Sequence, residues 1–264
     1  MNFFQAIILA IIEGLTEFLP VSSTGHMVIA SAIMGIGHDE FVKLFEVAIQ
    51  LGAIMAVVVI YWKKFFPLTH WQFYLKLLIA VIPALIAGFL LSDFIYETLG
   101  NPVFIAVVLL AGGVILLFID KIFSHPRYDT EEELTNKIAF NIGLFQILAV
   151  VFPGLSRSAA TIIGGMQQKL SRHEAAEFSF FLAVPTMFAA TGYKLLKNYH
   201  LLNTENIQLL AVGNIVAFIV SIIAIKSFIS FLNKHGFRIF GWYRIVLGMV
   251  ILAFYFAGIE LNVS

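Results

Sequence analysis

The chain of 264 residues is too apolar for a soluble protein, because hydrophobic residues make up 60% of it and charged residues only 12%, against about 25% charged residues in soluble domains. Its formal net charge is zero and it has no basic block, so nucleic acid is not an expected partner. Without cysteine it has neither disulfides nor a thiolate metal site. Several segments approach the roughly 20 apolar residues that span a bilayer core, which predicts an integral membrane protein.

The amino-terminal segment is interrupted by polar residues before it can cross a membrane. Residues 3–12 are apolar, the polar stretch EGLTEFLPVSSTGH follows at residues 13–26, and residues 27–34 are apolar again. Two half-length helices around a proline and a Ser/Thr/Gly turn favour a re-entrant hairpin over one spanning helix. Such irregular backbone persists at membrane depth only where protein or a water-filled cavity covers it. The amino terminus also lacks a basic lead and a cleavage site, so we expect no removable signal peptide.

The rest of the chain contains six longer apolar segments and a second interrupted pair. The polar connection from Asp120 to Lys137 is interpreted as a cytoplasmic linker. Short apolar pieces after it, at about 138–151 and 157–166, flank the stretch PGLSRSAAT and predict a second re-entrant hairpin. The predicted spans lie at about 45–62, 74–91, 103–119, 178–196, 207–226 and 239–257. The sequence thus predicts an all-α polytopic membrane protein.

The two halves of the chain are related as an internal repeat. A shift of 133 positions superimposes similar residues: Pro20 on Pro153, Ser23 on Ser156, Glu13 on Gln146 and Phe45 on Phe178. We therefore divide a single membrane domain, residues 1–264, into repeat one (1–119), the linker (120–137) and repeat two (138–264). Each repeat holds three spans, an odd number, so the two repeats are expected to have inverted topology. Inverted repeats with broken helices place their binding site near the membrane midplane.

Basic residues are concentrated in the loops of one side. The loops of the other side hold only three: Lys43, Lys194 and Lys197. Because the basic side of a membrane protein is cytoplasmic, residues 62–72 and 120–137 are predicted to lie in the cytoplasm. Residues 92–101 and both termini are then predicted to lie outside.

Two carboxylates in the first polar stretch are the leading candidates for a metal site. Glu13 and Glu17 are four residues apart, so on a helix they share one face. Two carboxylates in an apolar setting repel each other unless a cation lies between them, and magnesium and calcium prefer oxygen ligands. The alternative is that both side chains face water at the mouth of a hairpin, although carboxylates within membrane segments usually mark a functional site.

Hydroxyl residues and an arginine follow the two prolines, where each second half-helix begins. Hydroxyls at this position commonly cap the helix, but the free N–H groups of a helix N-terminus also form an anion site. Arg157 adds a planar guanidinium suited to phosphate oxygens, and without a bound anion Glu13 or Glu17 is its expected partner. The hydroxyl residues are Ser22, Ser23 and Thr24 in the first half and Ser156 and Ser158 in the second.

Two further polar residues have open roles. His26 can act as an acid, a base or a helper to a serine nucleophile, or it can be a hydrogen-bonded structural residue. Arg244 lies inside the last predicted span and needs a carboxylate or carbonyl partner, so we expect it to be structural. Together with the carboxylates, these residues predict a membrane cavity suited to a phosphorylated substrate with a lipid tail. A transporter or flippase of a phosphorylated lipid would need most of the same groups.

At these two stretches the sequence resembles the bacterial undecaprenyl-diphosphate phosphatase family, also known as bacitracin-resistance proteins. The resemblance is carried by EGLTEFLPVSSTGH at residues 13–26 and PGLSRSAAT at residues 153–161, and it extends over nearly the whole chain. One departure is Ala159, where the family commonly has glycine. The resemblance implies dephosphorylation of undecaprenyl diphosphate to the carrier lipid of cell-wall synthesis. It also implies a divalent cation, a bacterial inner-membrane location and a site open to the periplasmic side, and it leaves a homodimer open.

The resemblance also suggests a role for each polar residue of the site. Glu13 and Glu17 would hold Mg²⁺ or Ca²⁺ against the diphosphate, and Arg157 would bind the terminal phosphoryl oxygens. Ser23 is the expected nucleophile, assisted by His26; a metal-activated water or His26 itself are alternatives. Substrate contacts are further expected from hydroxyls at the half-helix N-termini: Ser22, Thr24, Ser156, Ser158 and Thr161.

Overall fold

In a computed structural model of the chain, which describes residues 1–66, 69–99, 101–130, 133–259 and 261, the regular elements are helical. A backbone bridge pairs Tyr128 with Leu170 outside any strand. The prediction of an all-α protein is therefore confirmed. The helices are α1 (Phe3–Thr16), α2 (Ser23–Ile33), α3 (Glu40–Ala48), α4 (Gln50–Ile60), α5 (Trp62–Phe65), α6 (Trp71–Leu90), α7 (Ser92–Leu99), α8 (Pro102–Ile122), α9 (Asn136–Val151), α10 (Arg157–Gln167), α11 (Arg172–Lys197), α12 (Thr204–His235) and α13 (Arg238–Phe256).

Six helical stretches in the described residues are long and apolar enough to cross a membrane: Glu40–Ile60, which joins α3 and α4, and the helices α6, α8, α11, α12 and α13. Each overlaps one of the six predicted spans, so the prediction of a multi-pass membrane protein is confirmed. Large apolar side chains remain exposed on these helices, Phe89 and Phe188 among them. Helices that are apolar on every face are typical of a membrane environment.

The two interrupted segments fold as pairs of short helices, as their sequences predict. The helix α1 has 14 residues and α2 has 11, and the second pair, α9 and α10, has 16 and 11. At a rise of about 1.5 Å per residue, none of the four reaches the roughly 30 Å of a bilayer core. The chain turns between the members of each pair at residues 17–22 and 152–156.

The elements of the two halves follow one another in the same order. The starts of α1 and α9 are 133 residues apart, as are the starts of α6 and α12, but α2 and α10 are offset by 134. This offset arises because α9 has 16 residues and α1 has 14, whereas the second turn, residues 152–156, is one residue shorter than the first, residues 17–22. Ser156 consequently corresponds to Ser22, the residue before α2, and our pairing of Ser156 with Ser23 by sequence shift was off by one position.

The helices of the two halves are packed against each other. The helix α1 packs on α12, and α9 packs on α6, so the first helix of each pair contacts a span from the other half. The helices α8 and α13 also pack together, as do α4 and α11. The two turns lie in one region of the molecule, because Arg157 and Ser158, which open α10 after the second turn, bond to Glu17 and to the Leu19 carbonyl of the first turn.

The linker between the halves is docked on the protein. The backbone N–H groups of Arg127 and Tyr128 donate to the carbonyl of Lys169, and Ser171 N–H donates to the carbonyl of Tyr128. Arg172 Nε lies 2.6 Å from Asp120 Oδ1. These contacts fix the linker to the turn between α10 and α11.

Candidate active site

Three of the predicted site residues form one connected group. Ser23 Oγ donates a hydrogen bond of 2.6 Å to Glu17 Oε2, and Arg157 Nη2 lies 3.1 Å from Glu17 Oε1. Glu17 directly follows α1, Ser23 opens α2 and Arg157 opens α10. The group therefore joins both halves of the chain, and the expectation that a glutamate pairs with Arg157 is confirmed for Glu17. A hydroxyl bonded to a carboxylate that a third group orients is the typical arrangement of an activated nucleophile.

Glu13 lies next to Glu17, one helical turn earlier in α1. Its side chain is only 1% exposed, and that of Glu17 is 8% exposed, so neither faces open water. Glu17, Glu46 and Arg157 are all close enough to interact electrostatically with Glu13. Glu13 and Glu17 therefore share one guanidinium, whereas Glu46 also has Lys43 and Lys194 close enough to interact with it.

This donor set fits a hard divalent cation. Glu13 Oε1 is buried and has no hydrogen-bond partner among the described residues, although buried polar atoms are normally paired. Carboxylate oxygens are preferred ligands of magnesium and calcium, and magnesium is commonly held by one or two carboxylates together with substrate phosphates. In the described residues a cluster of three ligand-type side chains occurs elsewhere, at His173, Glu174 and Glu177 on α11, and it includes no predicted site residue.

The second half-helix of each pair begins with a capping serine. Ser22 Oγ accepts from Gly25 N–H at 3.4 Å, and Ser156 Oγ accepts from Ala159 N–H at 3.3 Å. Both serines have positive φ angles, +69° and +74°, which non-glycine residues adopt only in sharp turns. The matching geometry gives the two half-helices equivalent N-termini, whose N–H groups and positive dipole ends favour an anion.

The side chains of the second N-terminus are mostly committed to internal contacts. Ser158 Oγ donates to the Leu19 carbonyl at 2.8 Å and lies 3.0 Å from Ser156 Oγ. Thr161 Oγ1 lies 2.7 Å from Ser179 Oγ and is fully buried. Ser158 therefore connects one turn to the other, and Thr161 supports the residue that holds Arg157.

Arg157 is held from two sides. Besides Glu17, it contacts the Ser179 carbonyl, to which Nη1 donates at 2.7 Å. Its Nε is buried and has no partner in the described part of the chain. The guanidinium thus keeps one donor unused, which a phosphate oxygen would satisfy.

Both ring nitrogens of His26 are bonded to groups other than the Ser23 hydroxyl. Its Nδ1 lies 2.8 Å from the Ser22 carbonyl and its Nε2 lies 2.7 Å from the Tyr243 hydroxyl. Because a carbonyl oxygen only accepts, Nδ1 carries the hydrogen, and neutral His26 accepts from Tyr243 through Nε2. The two rings are nearly parallel, with centroids 5.5 Å apart. The ring nitrogens therefore bind Ser22 and Tyr243, while Glu17 is the partner of Ser23.

Arg244 makes the structural contacts expected of it. It is fully buried, and its guanidinium donates to the carbonyls of Pro20, Gly154 and Leu155 at 3.3, 3.0 and 2.6 Å. The partners are carbonyls of both turns.

The structure thus brings Glu13, Glu17, Ser23 and Arg157 together in one polar group. Ser22, Ser156, Ser158, Thr161 and His26 surround it through backbone and side-chain bonds, and Thr24 lies half-buried in the first turn of α2. Sequence reasoning missed the partners Ser179 and Tyr243. A serine and a tyrosine inside apolar spans give no local signal, because only the packing of α11 and α13 brings them to the site.

The sequence is similar to known proteins over nearly its full length. A family model described as bacitracin resistance protein BacA matches residues 6–250. Proteins named undecaprenyl-diphosphatase are 56% identical over 260 residues in Flavobacterium johnsoniae, covering 97% of both chains, and 51% identical over 283 residues in Porphyromonas gingivalis, covering 100% of both. A third, from Aquifex aeolicus, is 46% identical over 257 residues, covering 97% of this chain and 99% of the relative. The resemblance inferred from the two polar stretches is confirmed, and the chain belongs to the bacitracin resistance protein BacA family.

Proposed function

We propose that this protein is a membrane phosphatase that hydrolyses undecaprenyl diphosphate to undecaprenyl phosphate and inorganic phosphate. The relatives named undecaprenyl-diphosphatase support this function, and six apolar helices provide the membrane setting of a lipid substrate. The observation that carries the proposal is the 2.6 Å hydrogen bond from Ser23 Oγ to Glu17 Oε2, with Arg157 bound to the same carboxylate. A hydroxyl nucleophile, a base beside it and a guanidinium for the phosphoryl oxygens are groups suited to phosphoryl transfer.

Ser23 is the proposed nucleophile. Its Oγ attacks the terminal phosphorus, the bond from that phosphorus to the bridging oxygen breaks, and undecaprenyl phosphate leaves. Glu17 accepts the Ser23 proton through Oε2, to which it is already bonded. Water then hydrolyses the phosphoserine and releases inorganic phosphate. Direct attack by water is the alternative for the first step.

The remaining groups position the phosphate and stabilise its charge. Arg157, with its unused Nε donor, and the N–H groups at the starts of α2 and α10 are placed to bind phosphoryl oxygens. Most of the catalysis of phosphoryl transfer comes from such positioning and charge stabilisation. His26 holds the Ser22 carbonyl and thereby the turn that presents Ser23.

Glu13 and Glu17 are the proposed ligands of Mg²⁺ or Ca²⁺. When bound, the cation would neutralise charge on the diphosphate and polarise its phosphoryl oxygens. The buried, unpartnered Glu13 Oε1 and the local excess of carboxylates support this assignment.

We further propose that the two halves are inverted repeats and that the two short-helix pairs are re-entrant hairpins. The support is the common order of elements, the short lengths of α1, α2, α9 and α10, and the reciprocal packing of α1 on α12 and α9 on α6. Because each half has three spans, an odd number, the second half must cross the membrane in the opposite orientation to the first. The distribution of basic loops then places the linker in the cytoplasm of a bacterial inner membrane and the site towards the periplasm. Homodimer formation stays a prediction.

Phosphate release by purified protein in detergent tests the function. We expect release from C55 and C15 polyprenyl diphosphates, loss of release in Ser23→Ala, and normal release in Ser227→Ala, which changes an exposed serine of α12. A flippase or transporter would release no phosphate from either substrate, and that result would reject the proposal. Full activity in Ser23→Ala would agree with the phosphatase function but would reject Ser23 as the nucleophile and favour direct attack by water.

A further inference from the structure

Arg244 connects the two turns that flank the site. Nη1 donates to the carbonyls of Pro20 and Leu155, and Nη2 donates to the carbonyl of Gly154. Nε is 3.5 Å from the carbonyl of Leu109 on α8. All four acceptors are backbone oxygens, and within the described residues Arg244 forms no ion pair with a carboxylate.

Three of the carbonyls that Arg244 binds lie just before the N-termini of both second half-helices, α2 and α10. Pro20 and Gly154 each lie two residues before a capping serine, Ser22 and Ser156. One rigid guanidinium is therefore bonded to equivalent points of both turns. A planar fork with five donors can bind several acceptors at once in fixed geometry, which a single ammonium group cannot do.

The helix facing Arg244 leaves space for the guanidinium. A Cβ atom added at Gly112 of α8 would lie 2.3 Å from Arg244 Nη2 and 2.9 Å from Cζ. Any side chain at this position would therefore displace the guanidinium. The third nearest atom to that Cβ would be Leu155 Cδ1, at 3.3 Å, so none of its three nearest neighbours belongs to a predicted site residue.

We propose that Arg244 is a positioning residue that sets the spacing of the two half-helix N-termini. The inference rests on the proposed function, in which both N-termini bind one phosphate. An anion can be bound by two N-termini only when their N–H groups converge at the correct distance. An error of about 1 Å in such placement lowers rates by about 100-fold. Buried hydrogen-bond networks of this kind stabilise one geometry over its alternatives.

Two variants test the role of Arg244. Arg244→Lys keeps the positive charge but cannot bond to both turns in the same way, and Gly112→Ala displaces the native guanidinium. In both we expect kcat to fall about 10- to 100-fold with a change of less than about threefold in KM, since Arg244 does not touch the substrate. Gly192→Ala is the matched control, because an added Cβ there meets nothing within 4 Å.

A distance measurement between the two second half-helices tests whether a loss of kcat comes from a change in their spacing. Since the chain has no cysteine, spin labels can be attached at Ile33→Cys and Gln167→Cys, exposed residues that end α2 and α10. We expect a narrow distance distribution in the parent and in Gly192→Ala, and a broadened or shifted one in both test variants. If Arg244→Lys does not fold, the kcat and the distance distribution of Gly112→Ala alone test the role of Arg244.

The inference would be overturned by an unchanged distance distribution accompanied by low kcat, or by normal kcat in spite of a changed distribution. Normal kcat with an unchanged distribution rejects it as well. Absence of phosphate release from the parent would reject the proposed function alone, because the distance measurement does not depend on turnover.

Discussion

Glu17 is the residue on which the site depends, since it is bonded to both the expected nucleophile and the expected phosphate-binding arginine. Each carboxylate oxygen of Glu17 makes one of these contacts: Oε2 accepts a hydrogen bond from Ser23 Oγ, and Oε1 pairs with Arg157. Burying a carboxylate is costly unless it is paired and hydrogen-bonded. The contacts of Glu17 meet this requirement, whereas Glu13 keeps an unpaired oxygen.

Removal of divalent metal should abolish activity. Chelation by EDTA leaves Glu13 and Glu17 without the cation that we propose, so we expect phosphate release to stop and to return when Mg²⁺ or Ca²⁺ is added. Glu17→Gln should remain inactive at every metal concentration, whereas Glu205→Gln, which changes an exposed residue of α12, should titrate like the parent. Full activity in EDTA and metal-free buffer would reject a metal site at these carboxylates.

Arg157→Lys should lower kcat/KM strongly while the protein stays folded. Lysine keeps the charge but cannot contact Glu17, Ser179 and a phosphate oxygen through one planar group. Loss of a charge-assisted hydrogen bond in a dry site costs about 2–4 kcal/mol, or roughly 30- to 1000-fold in rate. Steady-state kinetics of phosphate release measure the effect, and Arg238→Lys at an exposed position is the control.

Near-normal kinetics in Arg157→Lys would exclude a bidentate clamp. Near-normal kinetics in Arg157→Ala would exclude any role of this arginine with phosphate. If both variants lose folded protein in size-exclusion chromatography, the ion pair with Glu17 is primarily structural.

At the scale of elements, the half-helix N-termini depend on two serines with unusual backbone angles. Ser22 and Ser156 combine a positive φ angle with a side-chain cap. The cap satisfies an N–H group that would otherwise lack a partner at the start of the helix. The positive φ angle allows the chain to reverse direction in a few residues, which brings α2 and α10 back towards α1 and α9.

Alanine and glycine at these two serines should have different effects on stability. Alanine loses the cap and keeps an unfavourable φ angle, so we expect a loss of about 1–2 kcal/mol. Glycine also loses the cap but adopts positive φ without strain, so its loss should be a few tenths of a kcal/mol. Thermal unfolding in detergent measures both, with Ser230→Ala, at an exposed position of α12, as the control. Equal losses for alanine and glycine would show that the φ angle has no energetic role.

At the scale of the molecule, the distribution of basic loops and the packing of the halves determine how the site faces the membrane. The loops predicted to be cytoplasmic are residues 62–72 and 120–137, and residues 92–101 are predicted to lie outside. Within these loops, residues 67–68, 100 and 131–132 lie outside the described residues. Thr98 is a poor labelling site, because it is buried and its hydroxyl donates to the Phe94 carbonyl. Ser92 and Thr69 are exposed and lie in loops on the two predicted sides.

Single cysteines at these exposed positions should report the orientation. In intact cells we expect an impermeant maleimide to label Ser92→Cys and to leave Thr69→Cys unlabelled until the membrane is opened, because the basic loops are predicted to lie in the cytoplasm. The cysteine-free parent gives the background. Labelling of Thr69→Cys with protection of Ser92→Cys would reverse the topology and place the site on the opposite face.

The sequence by itself determined the membrane class, the number of spans and the two breaks, because these depend on local composition and on the length needed to cross a bilayer. It also indicated the polar residues, because charged and hydroxyl groups are rare in lipid-facing sequence. It could not determine pairing: Ser23 bonds to Glu17, six residues away, and His26 bonds to Tyr243, 217 residues away. A sequence shift likewise could not detect that α9 is longer than α1 and that the second turn is shorter than the first.

Only the tertiary structure decided which groups meet. The packing of α1 on α12, α9 on α6 and α8 on α13 brings both turns to Arg244. Contacts between residues distant in sequence depend on how complete helices pack, and that packing is set by side chains spread along their whole length. Short motifs therefore predict which residue types form the site, while the contacts among those residues depend on the entire fold.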